Sequence, residues 1–274
     1  MADYPLPADT QDALLAGRND CCHPGLLFER YLPVIGSPAD KSAAFNAVRD
    51  ASSRVDPDLL AACHIRWQAQ AAHLGAATPE SNPFEAPTAW RFVTGVGRKG
   101  PLEVGFHFHP LYGFPVIPGS GLKGLARAWA VLGEHRDELD DDLIAVFGRS
   151  PKRGEPESAA RVGGAVFMDA LPDKPFRLDL DVINPHYPRY YRESKREPPT
   201  NWQSPIPIQF LAVPPRTVFH FAVGWRGEAN SRAQDLAVSW LQSGLRELGA
   251  GAKTSAGYGY WTTPFRPRPG NVRF

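Results

Sequence analysis

Cysteine, methionine and net charge are what this sequence has least of. Among 274 residues stand 3 cysteines and 2 methionines, and 30 basic side chains meet 29 acidic ones for a net charge of +1. So few cysteines, and an odd number, argue against a disulfide framework and fit a reducing compartment. The near-neutral balance excludes both a strongly basic nucleic-acid-binding protein and an acidic tail protein. It leaves room for a local basic patch, because the field that attracts a polyanion is regional. No apolar run approaches the ~20 residues that a bilayer span needs. The opening Met1-Ala-Asp-Tyr-Pro-Leu-Pro7 lacks the basic and apolar regions of a signal peptide. A cytoplasmic protein with no membrane partner is the expectation.

What is present is globular: 43% hydrophobic and 22% charged residues, enough to bury a core. The length allows one elaborated domain or two small ones. With 28 prolines and 25 glycines, much of the backbone must be turn and loop. The chain divides near residue 85. Before it, Ser42–Val48 and Leu59–Leu74 are Ala-rich and predict helices, giving a helical extension over 1–85, and Thr78–Pro87 has the turn chemistry of a linker. After it, over 86–274, Trp90–Val96 and Leu102–Phe108 alternate as strands, with a turn between Gly95 and Gly100. A helix is expected from Pro118-Gly119-Ser120, capped by Ser120, with Leu122, Leu125, Ala126 and Trp129 as its apolar stripe.

Gly164–Asp169 and Leu178–Ile183 predict two strands of a hairpin across Pro172-Asp173-Lys174-Pro175. Thr217–Trp225 predicts one continuous strand. A four-turn helix follows, with Ser231 and Gln234 at capping-box spacing and Gly249 as its terminator, and then a strand over Gly257–Thr262. The order from residue 90 is βαβ(β)βαβ. That is an α+β arrangement, a ferredoxin-like or RRM-like antiparallel sheet with helices on one face, elaborated by the N-terminal helices and long loops.

Several motifs invite a function. Gly95-Val-Gly97-Arg-Lys-Gly100 matches G-x-G-x-x-G, but Pro101 and an alternating segment follow where a dinucleotide site needs a helix, so a turn is the better reading. Gly249-Ala-Gly-Ala-Lys253-Thr254 has Ala252 where a P-loop needs glycine before lysine, which excludes an NTPase. Its glycines still let backbone amides approach a ligand, and Lys253 and Thr254 suit phosphate oxygens. Lys123 and Arg127, at i and i+4, place two cations in the first two turns of their helix. That is the unfavourable end of the macrodipole unless an anion docks there; a solvated helix face is the other reading.

Cys21-Cys22-His23 and Cys63-His64 lack zinc-ligand spacing. His107 and His109 share a strand face without a third ligand in register. Asp169, Asp179 and Asp181 could hold Mg²⁺, but a solvent-facing hairpin explains them more simply. Tyr187–Arg196 carries four cations, one acid and three tyrosines, the ingredients of a loop that stacks bases and binds phosphates.

Four segments together carry a resemblance. Tyr112-Gly-Phe-Pro-Val-Ile-Pro-Gly-Ser-Gly-Leu-Lys-Gly-Leu-Ala-Arg127 resembles the PGSSLKG…R signature of the RAMP superfamily of CRISPR-associated proteins, with Gly121 where the family has serine. Leu180-Asp-Val-Ile-Asn-Pro-His-Tyr187, Pro205-Ile-Pro-Ile-Gln-Phe-Leu-Ala-Val213 and Leu248-Gly-Ala-Gly-Ala-Lys-Thr-Ser-Ala-Gly-Tyr-Gly259 are similar to motifs of one branch. That branch is the sixth subunit of the type III-B Cmr effector.

The resemblance implies an RRM-like domain over 86–274 in a ribonucleoprotein. It would bind crRNA near the 3′ end, pack against other Cmr subunits, and lie close to target RNA. It also implies no catalytic residue, metal or cofactor, since cleavage belongs to another subunit of such complexes. The residues expected to meet RNA are Ser120, Lys123, Arg127, His186, Arg189, Tyr190, Arg192, Gly251, Lys253, Thr254 and Tyr258. Two other readings stay open. One is an endoribonuclease acting through His186 or the aspartate trio, and the other is a scaffold whose loops dock proteins only.

Overall fold

The computed structural model describes residues 4–17, 20–76, 82–98, 100, 102–151, 153–184, 207–263 and 265–267. Four helices come first: α1 (Ala8–Gly17), α2 (Pro24–Glu29), α3 (Pro38–Ser52) and α4 (Pro57–His73). α3 includes Ser42–Val48, α4 covers Leu59–His73 with Leu74 as its C-cap, and both start earlier than expected. Ser37 and Asp56 accept hydrogen bonds from first-turn amides, and the proline after each is pre-set for the first helical position. Each buries one stripe: Ala44, Phe45, Val48 and Ala51 on α3, and Leu60, Cys63, Trp67 and Ala71 on α4. The α3 stripe joins the same core as Phe84, Phe92 and Phe219, while the α4 stripe packs with Phe114, Val116 and Leu171.

The strands are short and antiparallel. They are β1 (Phe84–Pro87), β2 (Gly148–Arg149), β3 (Arg161–Val162), β4 (Ala165–Phe167), β5 (Leu171–Pro172), β6 (Asp179–Ile183), β7 (Ile208–Ala212), β8 (Val218–Phe221), β9 (Val223–Trp225) and β10 (Arg266–Pro267). The largest sheet has the order β10-β1-β8-β5, and β2–β3, β4–β9 and β6–β7 form separate pairs. The expected α+β class with antiparallel pairing is present; among the described residues the strands are divided among four sheets.

Several local expectations change. The expected strand over Thr217–Trp225 splits at Ala222: Phe84 pairs with Phe221 in the main sheet, and Phe167 pairs with Val223 in the next. The hairpin across Pro172–Pro175 does not form, because β4 pairs with β9 and β6 with β7. The segments Trp90–Val96 and Leu102–Phe108 keep only isolated bridges, Phe92 to Val213 and Phe108 to Pro115, although the turn between them closes through Arg98 N–H to Gly95 O at 3.0 Å. Gly257–Thr262 keeps one bridge, Trp261 to Thr88, since Gly257 and Gly259 both have positive φ.

The other three α-helices among the described residues are α5 (Gly119–Leu132), α6 (Asp141–Phe147) and α7 (Ser231–Glu247). The apolar stripes of α5 and α7 face each other: Ala126, Ala130, Ala237, Trp240 and Leu241 are all fully buried. Leu125 lies against Gly244, where an added Cβ would come within 2.9 Å of its Cγ. At the opposite end Arg232 pairs with Asp142 at 2.8 Å. The middle of α5 therefore packs on the last turn of α7, and the first turn of α7 is tied to the first turn of α6. Asn230, not Ser231, caps α7, accepting from the Ala233 amide at 3.1 Å. No helix among the described residues is long and apolar enough to cross a membrane.

Candidate nucleic-acid interface

The glycine loop leaves α7 through a left-handed Gly249 (φ 75°), whose amide donates back to Gly244 O at 3.0 Å. It then runs against the segment 89–93 as an irregular strand. Ala252 N–H donates to Val93 O (2.8 Å), Gly259 N–H to Arg91 O (2.9 Å), and Ala89 N–H to Tyr260 O (2.8 Å). Glycine is required at two close approaches: a Cβ at Gly251 would lie 2.2 Å from Val93 O on that segment, and one at Gly259 would lie 2.0 Å from Ala250 O across the loop itself.

The outer part of the loop is a single 3₁₀ turn, Thr254–Ala256, entered through Lys253 at φ 61°. A lysine in the left-handed region is strained by roughly 1–2 kcal/mol. Its Nζ lies 5.1 Å from the centre of the Phe210 ring, a cation–π contact. The amides of Gly251, Lys253, Thr254 and Ser255 donate to no backbone carbonyl among the described residues. Open amides beside an αL residue and a lysine form a concavity suited to phosphate oxygen.

Beneath the loop lies a group that the sequence reading missed. Arg91 sits between two carboxylates, with its Nε donating to Asp179 at 2.9 Å and its Nη1 donating to Asp181 at 3.2 Å. The Tyr258 hydroxyl donates to the same Asp181 oxygen at 2.7 Å. The hydrogen bond to Asp179 raises the Arg91 pKa above its ordinary value. Partial burial first, and the Asp181 bond second, push the Tyr258 hydroxyl up to about 12. Two aspartates at i and i+2 on one face of a strand call for a cation between them, and that was the available signal; what the sequence could not give was its position 88 residues away.

The aspartate trio is thereby separated. Asp179 and Asp181 hold Arg91, while Asp169 Oδ1 accepts from the Gly119 amide at 2.7 Å. Asp169 is thus the acceptor for the first amide of α5, and Ser120, expected to cap that helix, makes no capping bond. No group of three or more His, Cys, Asp or Glu side chains among the described residues is placed to hold a metal ion. Burial lowers the pKa of both His107 and His109. His107 Nδ1 lies 3.3 Å from Arg98 Nη1, and His109 Nδ1 accepts from the Leu111 amide at 3.2 Å.

Of the residues expected to meet RNA, Gly251, Lys253, Thr254 and Tyr258 are gathered on the one loop. Ser120 is exposed and Lys123 half-buried in the first turns of α5, outside the glycine loop. Arg127 is exposed but already paired with Glu138 at 3.0 Å. His186, Arg189, Tyr190 and Arg192 lie outside the described residues.

A family model described as the RAMP superfamily matches residues 73–262. The chain is 32% identical to the CRISPR system Cmr subunit Cmr6 of Pyrococcus furiosus, over 63% of this chain and 65% of that one. It is 29% identical to the Cmr6 subunit of Saccharolobus solfataricus, over 64% of this chain and 55% of that one. The chain thus covers less than two thirds of the length of each relative. Among solved structures, a chain of the type III-B Cmr-beta complex bound to cognate target RNA is 26% identical, with a TM-score of 0.48, over 67% of this chain and 59% of that one.

Proposed function

Because this chain belongs to the RAMP superfamily, we propose that it is a non-catalytic RNA-binding subunit of a type III-B CRISPR effector in the cytoplasm. In this reading it holds crRNA near the 3′ end and packs against other Cmr subunits. The observation that carries the reading is the glycine loop. Its glycines are packed against Arg91 and Val93, its outer amides are open, and Lys253 is held in a left-handed conformation with no carboxylate partner among the described residues. Such a loop gives backbone-directed contacts to phosphates without reading sequence, as a subunit that accepts any guide requires. The division of the three aspartates between Arg91 and the Gly119 amide supports a binding role over metal-assisted cleavage.

Replacing Lys123, Arg127 and Lys253 together by alanine tests this. The complex carrying the triple variant is expected to hold guide RNA more weakly. Each lost phosphate contact should reduce the slope of log affinity against log salt by ~0.7 for single-stranded RNA. Because Arg127 is neutralised by Glu138, the reduction should approach two contacts, not three. Assembly with unchanged guide affinity and unchanged salt slope would remove the glycine loop and α5 from the interface.

A further inference from the structure

We propose that Trp90 is a nucleobase-stacking platform at the edge of the glycine loop. The inference rests on the RNA-binding reading above and adds a residue type that phosphate contacts do not require. Trp90 is 50% exposed, whereas Phe92 and Val93, two and three residues on, are fully buried. The segment that carries it is fixed on both sides. Phe92 and Val213 exchange backbone hydrogen bonds of 3.0 and 2.8 Å, and the glycine loop bonds to Ala89, Arg91 and Val93.

The indole is supported as well as displayed. The Arg91 guanidinium carbon lies 5.3 Å from the ring centre, and Asp179 and Asp181 hold that guanidinium in place. A ring fixed on a rigid backbone loses little conformational freedom when a flat partner covers it. The charge of Arg91 is cancelled by its two carboxylates, so the platform offers a π-face and no attraction for phosphate. Lys253 and the open amides, on the loop bonded to the same segment, supply that attraction. An aromatic face beside a phosphate-binding loop is the combination used to hold single-stranded nucleic acid without sequence preference.

The test compares Trp90→Leu and Trp90→Phe with the parent full-length chain, using labelled oligoadenylate and an abasic ribose-phosphate oligomer of equal length. Leucine keeps apolar bulk and removes the π-face; phenylalanine keeps a smaller one. Trp90→Leu should weaken oligoadenylate binding roughly 5- to 150-fold, the range for one base–aromatic stack. Trp90→Phe should retain most of the affinity. Neither should change the salt slope, and neither should alter binding of the abasic oligomer.

Equal oligoadenylate binding by Trp90→Leu and the parent overturns the proposal, as does an equal loss on the abasic oligomer. Loss of a neighbouring protein subunit with RNA affinity intact also overturns it, and makes Trp90 a protein contact. Lys253→Ala, measured alongside, separates the two layers. If Lys253→Ala weakens binding and Trp90→Leu does not, only the platform fails; if neither does, the RNA-binding reading fails with it.

Discussion

The acidic stretch Glu134–Asp142 and the glycine loop Gly249–Gly259 both bring a cation to an aromatic ring, and they use it in opposite ways. Arg136 lies 5.8 Å from the buried ring of Trp240 and is ringed by carboxylates: Glu134 at 3.3 Å, Asp140 at 3.1 Å and Asp142 at 3.6 Å. Arg127 and Arg232 are paired to Glu138 and Asp142 nearby. Asp140 also caps α6 through the amides of Asp142 and Leu143. The stretch is an ion-pair network tying α5, α6 and α7 together. Lys253, over Phe210, has no acid partner among the described residues. Cancelled charge serves the fold; uncancelled charge remains available to a ligand. The overall +1 hides both cases.

The largest effect expected from breaking this contrast comes at Gly259. A Cβ there would meet Ala250 O on the other limb of the loop at 2.0 Å with φ at +79°, so Gly259→Ala must force the two limbs of the loop apart. We expect a loss of about 3 kcal/mol in denaturant unfolding, within the range for backbone strain plus overlap. Gly257→Ala is the control. Nothing lies within 4 Å of its Cβ and only φ is unfavourable, so the cost should be about 1 kcal/mol. Similar losses at the two positions would show that the close approach of Gly259 to Ala250 across the loop contributes little.

How far the sequence reached follows the range of the interactions. The α7 helix is legible because its apolar period of 3.6 is local, and Gly249 ends it as expected. The Ser37-Pro38 and Asp56-Pro57 starts of α3 and α4 are local as well. The acceptor for the first amide of α5 is not, since Asp169 lies 50 residues away. Nor is the break at Ala222, which depends on β8 and β9 finding different partners. Of the interface, glycine spacing and Lys253 could be read directly, while Arg91 between Asp179 and Asp181 required the register of β6 against a distant segment.

An intermediate effect is expected at the acidic stretch. Arg136→Ala leaves three carboxylates clustered and uncovers Trp240, for a loss of about 2 kcal/mol at neutral pH. RNA affinity should not change, because Arg136 is committed to the fold. Partial burial works to raise the Asp140 pKa, but hydrogen bonds from Arg136 and the Leu143 amide outweigh it and hold the carboxyl below its ordinary value. A depressed carboxylate contributes stability above its unfolded pKa of ~3.9 and loses it as pH falls through the lower folded value. The gap between parent and Arg136→Ala should therefore be full at pH 7 and shrink below about pH 4. A gap that stays constant into acid would mean the arginine acts through packing on Trp240 and not through its carboxylates.

The smallest effect, and the sharpest test of the contrast, is at Tyr258. Its hydroxyl joins the glycine loop to Asp181, so Tyr258→Phe removes one hydrogen bond to a carboxylate and should cost about 1 kcal/mol near neutrality. The pH sign is opposite to that of Asp140. A tyrosine whose folded pKa is raised to about 12 contributes stability fully below its unfolded value and loses it as pH rises through the folded one. The unfolded value is ~10, so parent and Tyr258→Phe stabilities should converge between about pH 10 and 12 and stay parallel below. The acidic network would then loosen from the acid end and the glycine loop from the alkaline end. Because Lys253 is not part of the Tyr258 bond, the salt slope of RNA binding should be unchanged in Tyr258→Phe even where its affinity falls. A reduced slope in that variant would place Tyr258 and Lys253 in one coupled unit, and the separation between a fold-serving anchor and a ligand-serving cation within the loop would be lost.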